Sequence, residues 1–219
     1  MSETFEIARK NMVVNQLRPN KINEENILQI FENTPKENYL DVSLGKNCYL
    51  DNNLDITDKR GYLKNLHLAQ IIKYSKILPN DRVLHIGGLT GYFSAIISSL
   101  CGELHVVEEN RELFKLLEHN IGKTNINNIS LFNNNLLDGL VGKAPFNLII
   151  IDAPIFKITD KLKKQLAMNG GRLIYIKKIY DNLGKAYKII RNADLYSSEY
   201  LFDVMSRYQI QEQRENFKF

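Results

Sequence analysis

The sequence predicts an α/β protein of Rossmann-like architecture, a central, mostly parallel sheet flanked by helices. Three observations predict it. Apolar strand-like runs and helical spacings alternate from residue 81 to 176, the signature of parallel strands joined by right-handed crossovers. Within that stretch the run Arg82–Ile86 passes through Gly87, Gly88 and Gly91 straight into helical spacing from Tyr92. A strand, glycine turn and helix in that order leave backbone N–H groups and a helix N-terminus facing one crevice, where a nucleotide-like ligand can approach small residues. Finally, Glu108 closes the next apolar strand, about 20 residues on, where a carboxylate can take a ribose diol.

The elements follow from local pattern. Phe5, Ile7, Ala8, Met12, Val13 and Leu17 give an amphipathic helix over 3–17 that ends before Pro19. Asn23 is the expected cap of a second helix carrying Ile27, Ile30 and Phe31, with Pro35 beyond its end. Residues 36–60 are polar and turn-rich, and helical spacing resumes over Tyr62 to Leu78. Strands are expected at 82–86, 104–108, 129–132, 147–151 and 172–176, with helices at 92–100, 110–121 and 157–167. Asn169-Gly170-Gly171 turns the chain into the fifth strand, and 186–210 suits an antiparallel hairpin at the sheet edge. Residues 1–80 thus read as a helical cap with a connecting segment. Residues 81–219 read as the core of the same compact unit.

Composition narrows the function. The 219 residues carry 29 basic and 25 acidic side chains, a net charge of +4 spread along the chain. That excess argues against nucleic acid as a partner. No apolar run reaches the ~18 residues of a membrane span, and no signal-peptide core is visible at the N-terminus. Cys48 and Cys101 lie far apart without a CxxC motif, and the four histidines lack metal-ligand spacing. Reduced thiols, no metal site and a cytoplasmic location are the expectation.

Read outward from the glycine turn, further segments carry a resemblance. Asn11-Met12-Val13 with Gln16-Leu17-Arg18-Pro19, Thr34-Pro35-Lys36-Glu37, and Asp81-Arg82-Val83-Leu84 through Gly91-Tyr92 stand in order. Val107-Glu108, Ala144-Pro145-Phe146-Asn147, and Gln165-Leu166 with Gly170-Gly171-Arg172-Leu173 continue it. Together they resemble the protein-L-isoaspartate O-methyltransferase family over nearly the whole chain. The resemblance implies a class I methyltransferase fold and S-adenosyl-L-methionine as cofactor, with S-adenosylhomocysteine as product. It implies a protein or peptide substrate bearing an isoaspartyl or other acidic acceptor. Cofactor contacts are then expected at Gly87, Gly88, Leu89, Gly91, Glu108, Glu109, Asn135 and Leu136, and acceptor contacts at Tyr62, Leu63, Lys64 and Asp152.

The departures cluster where chemistry is expected. The acidic position of the glycine motif is His85, its middle glycine is Leu89, and the Gly-Asp pair near adenine is Asn134-Asn135. The serine of the family's Thr-Ile-Ser segment falls on Leu63, as in a divergent bacterial branch that lacks it. Leu89 is expected to obstruct the cofactor or shift the turn, and His85 to place positive charge beside a sulfonium. A carboxylate acceptor is already ionised at neutral pH, so methyl transfer needs positioning and no general base. No side chain is therefore singled out as catalytic. The expectation is a methyltransferase of this type with low or altered activity. A different acceptor, or a binding protein that has lost turnover, is the alternative.

Overall fold

Local sequence sets the first third of the chain. In a computed structural model that describes residues 2–210, helix α1 (Ser2–Met12) widens into a π-helical turn over Val13–Leu17 and ends in a short 3₁₀ turn, Arg18–Asn20, that contains Pro19. Helix α2 (Glu25–Asn33) follows, burying Ile27, Leu28 and Phe31 on one face, and α3 is the single turn Val42–Gly45. A small antiparallel hairpin then pairs β1 (Leu54–Asp55) with β2 (Gly61–Tyr62), and α4 (Asn65–Ser75) leads into the sheet.

The alternating part runs β3 (Arg82–Ile86), α5 (Tyr92–Ser98), β4 (Glu103–Val107), α6 (Arg111–Gly122), β5 (Ile129–Phe132), β6 (Leu148–Ile155), α7 (Asp160–Lys163), β7 (Asn169–Tyr180), β8 (Leu183–Asn192) and β9 (Leu195–Met205). The sheet order is β5-β4-β3-β6-β7-β8-β9. Strands β3 to β7 pair in parallel, and β8 and β9 add antiparallel at one edge. The glycine turn therefore leaves an interior strand.

The period-2 alternation of buried strands divides the core in two. Val83, Leu104, Val106, Leu148, Ile150 and Ile174 face a layer that holds Met12, Leu17, Phe31, Phe93, Ile96 and Leu117. Their neighbours Leu84, Ile86, Ile149, Ile151 and Leu173 face Leu136, Phe146, Leu162 and Leu166. The first layer carries the long helices. The second is covered by α7 and the short turns Leu136–Asp138 and Val141–Lys143. Among the described residues no helix is long and apolar enough to cross a membrane. Residues 211–219, the end of the expected core segment, lie outside the described residues.

Three local expectations are corrected. Asn23 does not cap α2; Glu24 holds that place without a side-chain bond, and the Glu24 carboxylate instead accepts from Asn23 N–H. The helix read from Tyr62 begins at Asn65, because Tyr62 is paired in the hairpin and Lys64 N–H is held extended by Asn53 Oδ1 at 3.0 Å. The helix read over 157–167 shrinks to Asp160–Lys163. It stops where Gln165 turns inward to donate to the Asp138 carbonyl and accept from Leu140 N–H, and where Leu166 bridges to Phe146.

Candidate functional site

The crevice is built on the turn between β3 and α5. Gly87 and Gly91 take φ of +96° and +103°, the left-handed region that glycine enters freely. Leu89 takes φ +49° as well, a conformation that strains a branched side chain. Its side chain is buried in the long-helix core layer, and its N–H donates to Glu108 Oε2 at 3.0 Å. The backbone turn is thus kept with leucine in the glycine place.

Glu108 follows β4 and is fully buried. Both of its oxygens are engaged by the chain itself. The Arg60 guanidinium binds it as a fork, Nη1 to Oε1 at 2.6 Å and Nη2 to Oε2 at 2.9 Å, while Leu89 N–H and Asn110 N–H donate at 3.0 Å each. Such a bidentate, charge-assisted pair is among the strongest polar contacts a buried carboxylate makes. Arg60 reaches it from the turn of the β1–β2 hairpin, where Thr57 N–H and Ile56 N–H bond to the Arg60 carbonyl. A Cβ built at Gly87 would lie 3.1 Å from Arg60 Nη2 and 3.7 Å from Asp152 Oδ1. The guanidinium and the second carboxylate therefore press on the same side of the turn.

Tyr62, from the same hairpin, covers the helix end. Its buried hydroxyl accepts from Thr90 N–H at 3.2 Å and Tyr92 N–H at 3.1 Å, and it bonds Thr90 Oγ1 at 2.9 Å. Burial pushes the Tyr62 phenol up. Behind it, Lys36 is 1% exposed, with Nζ 5.2 Å from the Tyr62 ring centroid and 5.1 Å from that of Tyr92. Its hydrogen-bond acceptor is Asn65 Oδ1 at 3.1 Å. Burial lowers the Lys36 ammonium to about 8, as expected of an enclosed cation with no carboxylate beside it among the described residues.

The other expected contacts divide into two groups. Leu63 is 1% exposed and packs in the core, and Lys64 turns outward to Asp51 at 3.5 Å. Asp152, within β6, is 4% exposed and has His85 Nε2 at 3.4 Å. His85 is buried under Phe93, with Nδ1 2.9 Å from Ser94 Oγ. At the far edge, Glu109 Oε2 accepts from Leu136 N–H at 3.3 Å and Asn135 Nδ2 at 3.4 Å, while Asn135 Oδ1 caps Leu137 N–H. Glu108, Leu89 and Gly87 thus meet Tyr62 and Asp152 in one crevice, and Glu109 and Asn135 form its exposed rim, with Leu136 buried in the core beneath them.

S-adenosylmethionine is the group this crevice is expected to hold, and the arrangement does not fit it. A ribose diol needs free carboxylate oxygens, and those of Glu108 are all engaged. All five turn residues, 87–91, are buried by protein atoms alone. The open space lies further out, a cleft of about 480 Å³ whose lining includes Thr57, Lys59, Glu109, Asn110 and Gln209. Arg60 and Lys36 were invisible as site residues in the sequence. An arginine in a polar turn ordinarily faces water, and no neighbouring residue sets Arg60 apart.

Comparison with known proteins bears on this geometry. A family profile described as protein-L-isoaspartate(D-aspartate) O-methyltransferase (PCMT) matches residues 8–202. A protein-L-isoaspartate O-methyltransferase of Shewanella woodyi is 29% identical over 199 residues, 91% of this chain and 92% of that protein. Its counterpart in Koribacter versatilis is 28% identical over 170 residues, 78% of this chain and 76% of that protein. A solved protein-L-isoaspartate O-methyltransferase superposes with a TM-score of 0.77 at 20% identity, covering 90% of this chain and 65% of that one.

Proposed function

The chain belongs to the protein-L-isoaspartate O-methyltransferase family, S-adenosylmethionine-dependent protein carboxyl methyltransferases, and from that premise we propose that this member has low or no turnover on isoaspartyl peptides. The carrying observation is the Arg60 fork on Glu108. The carboxylate that would take the cofactor's ribose is neutralised and saturated by its own chain. A ligand must break a buried ion pair before it can bind, and that breakage costs about 3–5 kcal/mol when nothing replaces the lost partner. The acceptor side argues the same way, because Leu63 offers no hydroxyl and the Tyr62 hydroxyl is committed to the turn amides. What the chain's own residues do here is hold the turn and exclude water.

Two measurements on the wild-type protein test the proposal. Calorimetric titration with S-adenosylhomocysteine is expected to give weak or no saturable heat, and methyl-ester formation on an isoaspartyl peptide is expected to stay near background. Turnover at ordinary enzymatic rates, about 1–10³ s⁻¹, overturns it. Tight binding of S-adenosylhomocysteine without isoaspartyl ester formation favours the alternative of a methyltransferase for another acidic acceptor.

A further inference from the structure

Arg60 does not hold its place alone. The segment after β9 crosses the mouth of the crevice and ties the hairpin to β6. Gln209 N–H donates to the Lys59 carbonyl at 3.1 Å, and Ile210 N–H to the Pro154 carbonyl at 3.0 Å. Tyr208 OH donates to Asp55 Oδ1 at 2.7 Å, and Arg207 Nη2 to Asp55 Oδ2 at 2.6 Å. Tyr208 is fully buried over Gly61, where a built Cβ would meet its ring at 2.7 Å. The Ile210 side chain lies 3.7 Å from the same Cβ position at Gly87 that Arg60 approaches. Beneath the segment, the three N–H groups of Lys178 Nζ are shared among the carbonyls of Asp181, Ser206, Arg207 and Tyr208, which lie 2.6–3.3 Å away. These contacts come from two strand ends far apart in sequence, and they meet only over the crevice.

We infer that Arg60 is a built-in occupant of the cofactor crevice, a cation forked onto Glu108 over Gly87 and clasped there by the 206–210 strap, and that displacing it opens a site for S-adenosyl compounds. Three features carry this. The guanidinium contacts the carboxylate placed to take a ribose diol. It lies against the face of Gly87 where side chains must be absent for a ligand to approach. The turn keeps its left-handed dihedrals even at Leu89, so the backbone cradle stands beneath the occupant. A cradle retained under a displaceable side chain has an apparent affinity equal to its intrinsic one reduced by the fraction of open chains. This inference rests on the proposed closure of the crevice and adds what closes it.

The test titrates S-adenosylhomocysteine into wild type, Arg60→Gln and Tyr208→Phe by calorimetry, with amide exchange followed over 57–60 and 206–210. Arg60→Gln removes the charged fork, and Tyr208→Phe removes only the bond to Asp55. Arg60→Gln is expected to bind at least about tenfold more tightly than wild type. Tyr208→Phe is expected to shift affinity the same way by less, with faster exchange in both segments. A folded Arg60→Gln that binds no better than wild type overturns the inference and leaves the low-turnover proposal standing. If Arg60→Gln does not melt cooperatively, unchanged affinity and exchange in Tyr208→Phe overturn the inference instead. Isoaspartyl turnover by the wild type sinks the low-turnover proposal whichever way the variants behave.

Discussion

Glu108 follows β4 and Asp152 lies in β6, so the two carboxylates flank one glycine turn from the strands on either side of β3. Both are buried, yet their surroundings differ. Glu108 accepts four hydrogen bonds, two of them from a guanidinium. Asp152 has, among the described residues, one close cationic candidate, His85 Nε2 at 3.4 Å. Burying a carboxylate is expensive unless donors replace its water. Glu108 has a complete replacement set from its own chain, so it serves as a structural anchor in this state. Asp152 retains lone pairs facing the crevice. Two carboxylates on either side of one turn thus acquire different roles from the donors that reach them.

The largest expected effect breaks the anchored side. Glu108→Ala would leave Arg60 buried without its counter-charge and strand Leu89 N–H and Asn110 N–H. Unfolding free energy from urea titration should fall by about 3–5 kcal/mol. A loss under about 1 kcal/mol would mean that water already screens the pair and that Arg60 is not enclosed.

Lys36 sharpens the comparison as a buried charge with no carboxylate partner among the described residues. Its ammonium is lowered from 10.5 to about 8, chiefly by desolvation. The unfolded chain then binds more protons between about pH 8 and 10.5, so stability rises with pH across that window. Below pH 8 the penalty is fully in force. Relative to Lys36→Met, wild type should gain on the order of 3 kcal/mol as pH is raised from 7 to 10.5. Comparing the two proteins at each pH cancels the Tyr62 phenol, whose raised value acts in the opposite sense. A difference that stays flat with pH would show that Lys36 is solvated.

The hydroxyl of Tyr62 tests the middle of the crevice. Tyr62→Phe keeps the ring over Lys36 and leaves the N–H groups of Thr90 and Tyr92 without their acceptor. Thermal melts should report a loss of about 1–3 kcal/mol. No change would imply that those amides find another acceptor at the helix end.

How far this could be read in the sequence depends on the range of the cause. Strands β3 to β7 were legible because apolar runs bounded by glycine, proline and asparagine are a local signal, and the terminal hairpin likewise. The two-residue strands at Leu54–Asp55 and Gly61–Tyr62 were not, since pairing that short leaves no periodicity. The truncated α7 was misread because Gln165 answers to Asp138 and Leu140, partners outside its own pattern. Glu108 stands out in the sequence as the acidic end of an apolar strand, but nothing near it in the chain announces Arg60. The fork forms because a hairpin turn and the strap after β9 are brought to one place by the finished sheet.

The smallest expected effect lies on the thinly partnered side. Asp152→Asn removes a charge while keeping shape and two polar ends. Its one close cationic candidate among the described residues is the His85 imidazole nitrogen at 3.4 Å, which has no hydrogen-bond partner among those residues. An amide oxygen or N–H can serve that nitrogen in either tautomer. The change in stability should therefore be under about 1 kcal/mol, against several for Glu108→Ala. The contrast itself can also fail. If Asp152→Asn destabilises as strongly as Glu108→Ala, the Asp152 charge must be helping to hold the Arg60 guanidinium. The two carboxylates would then be one anchor shared by a single cation. A double-mutant cycle of Asp152→Asn with Arg60→Gln decides it, since independent sites add within about 0.5 kcal/mol and a shared cation does not.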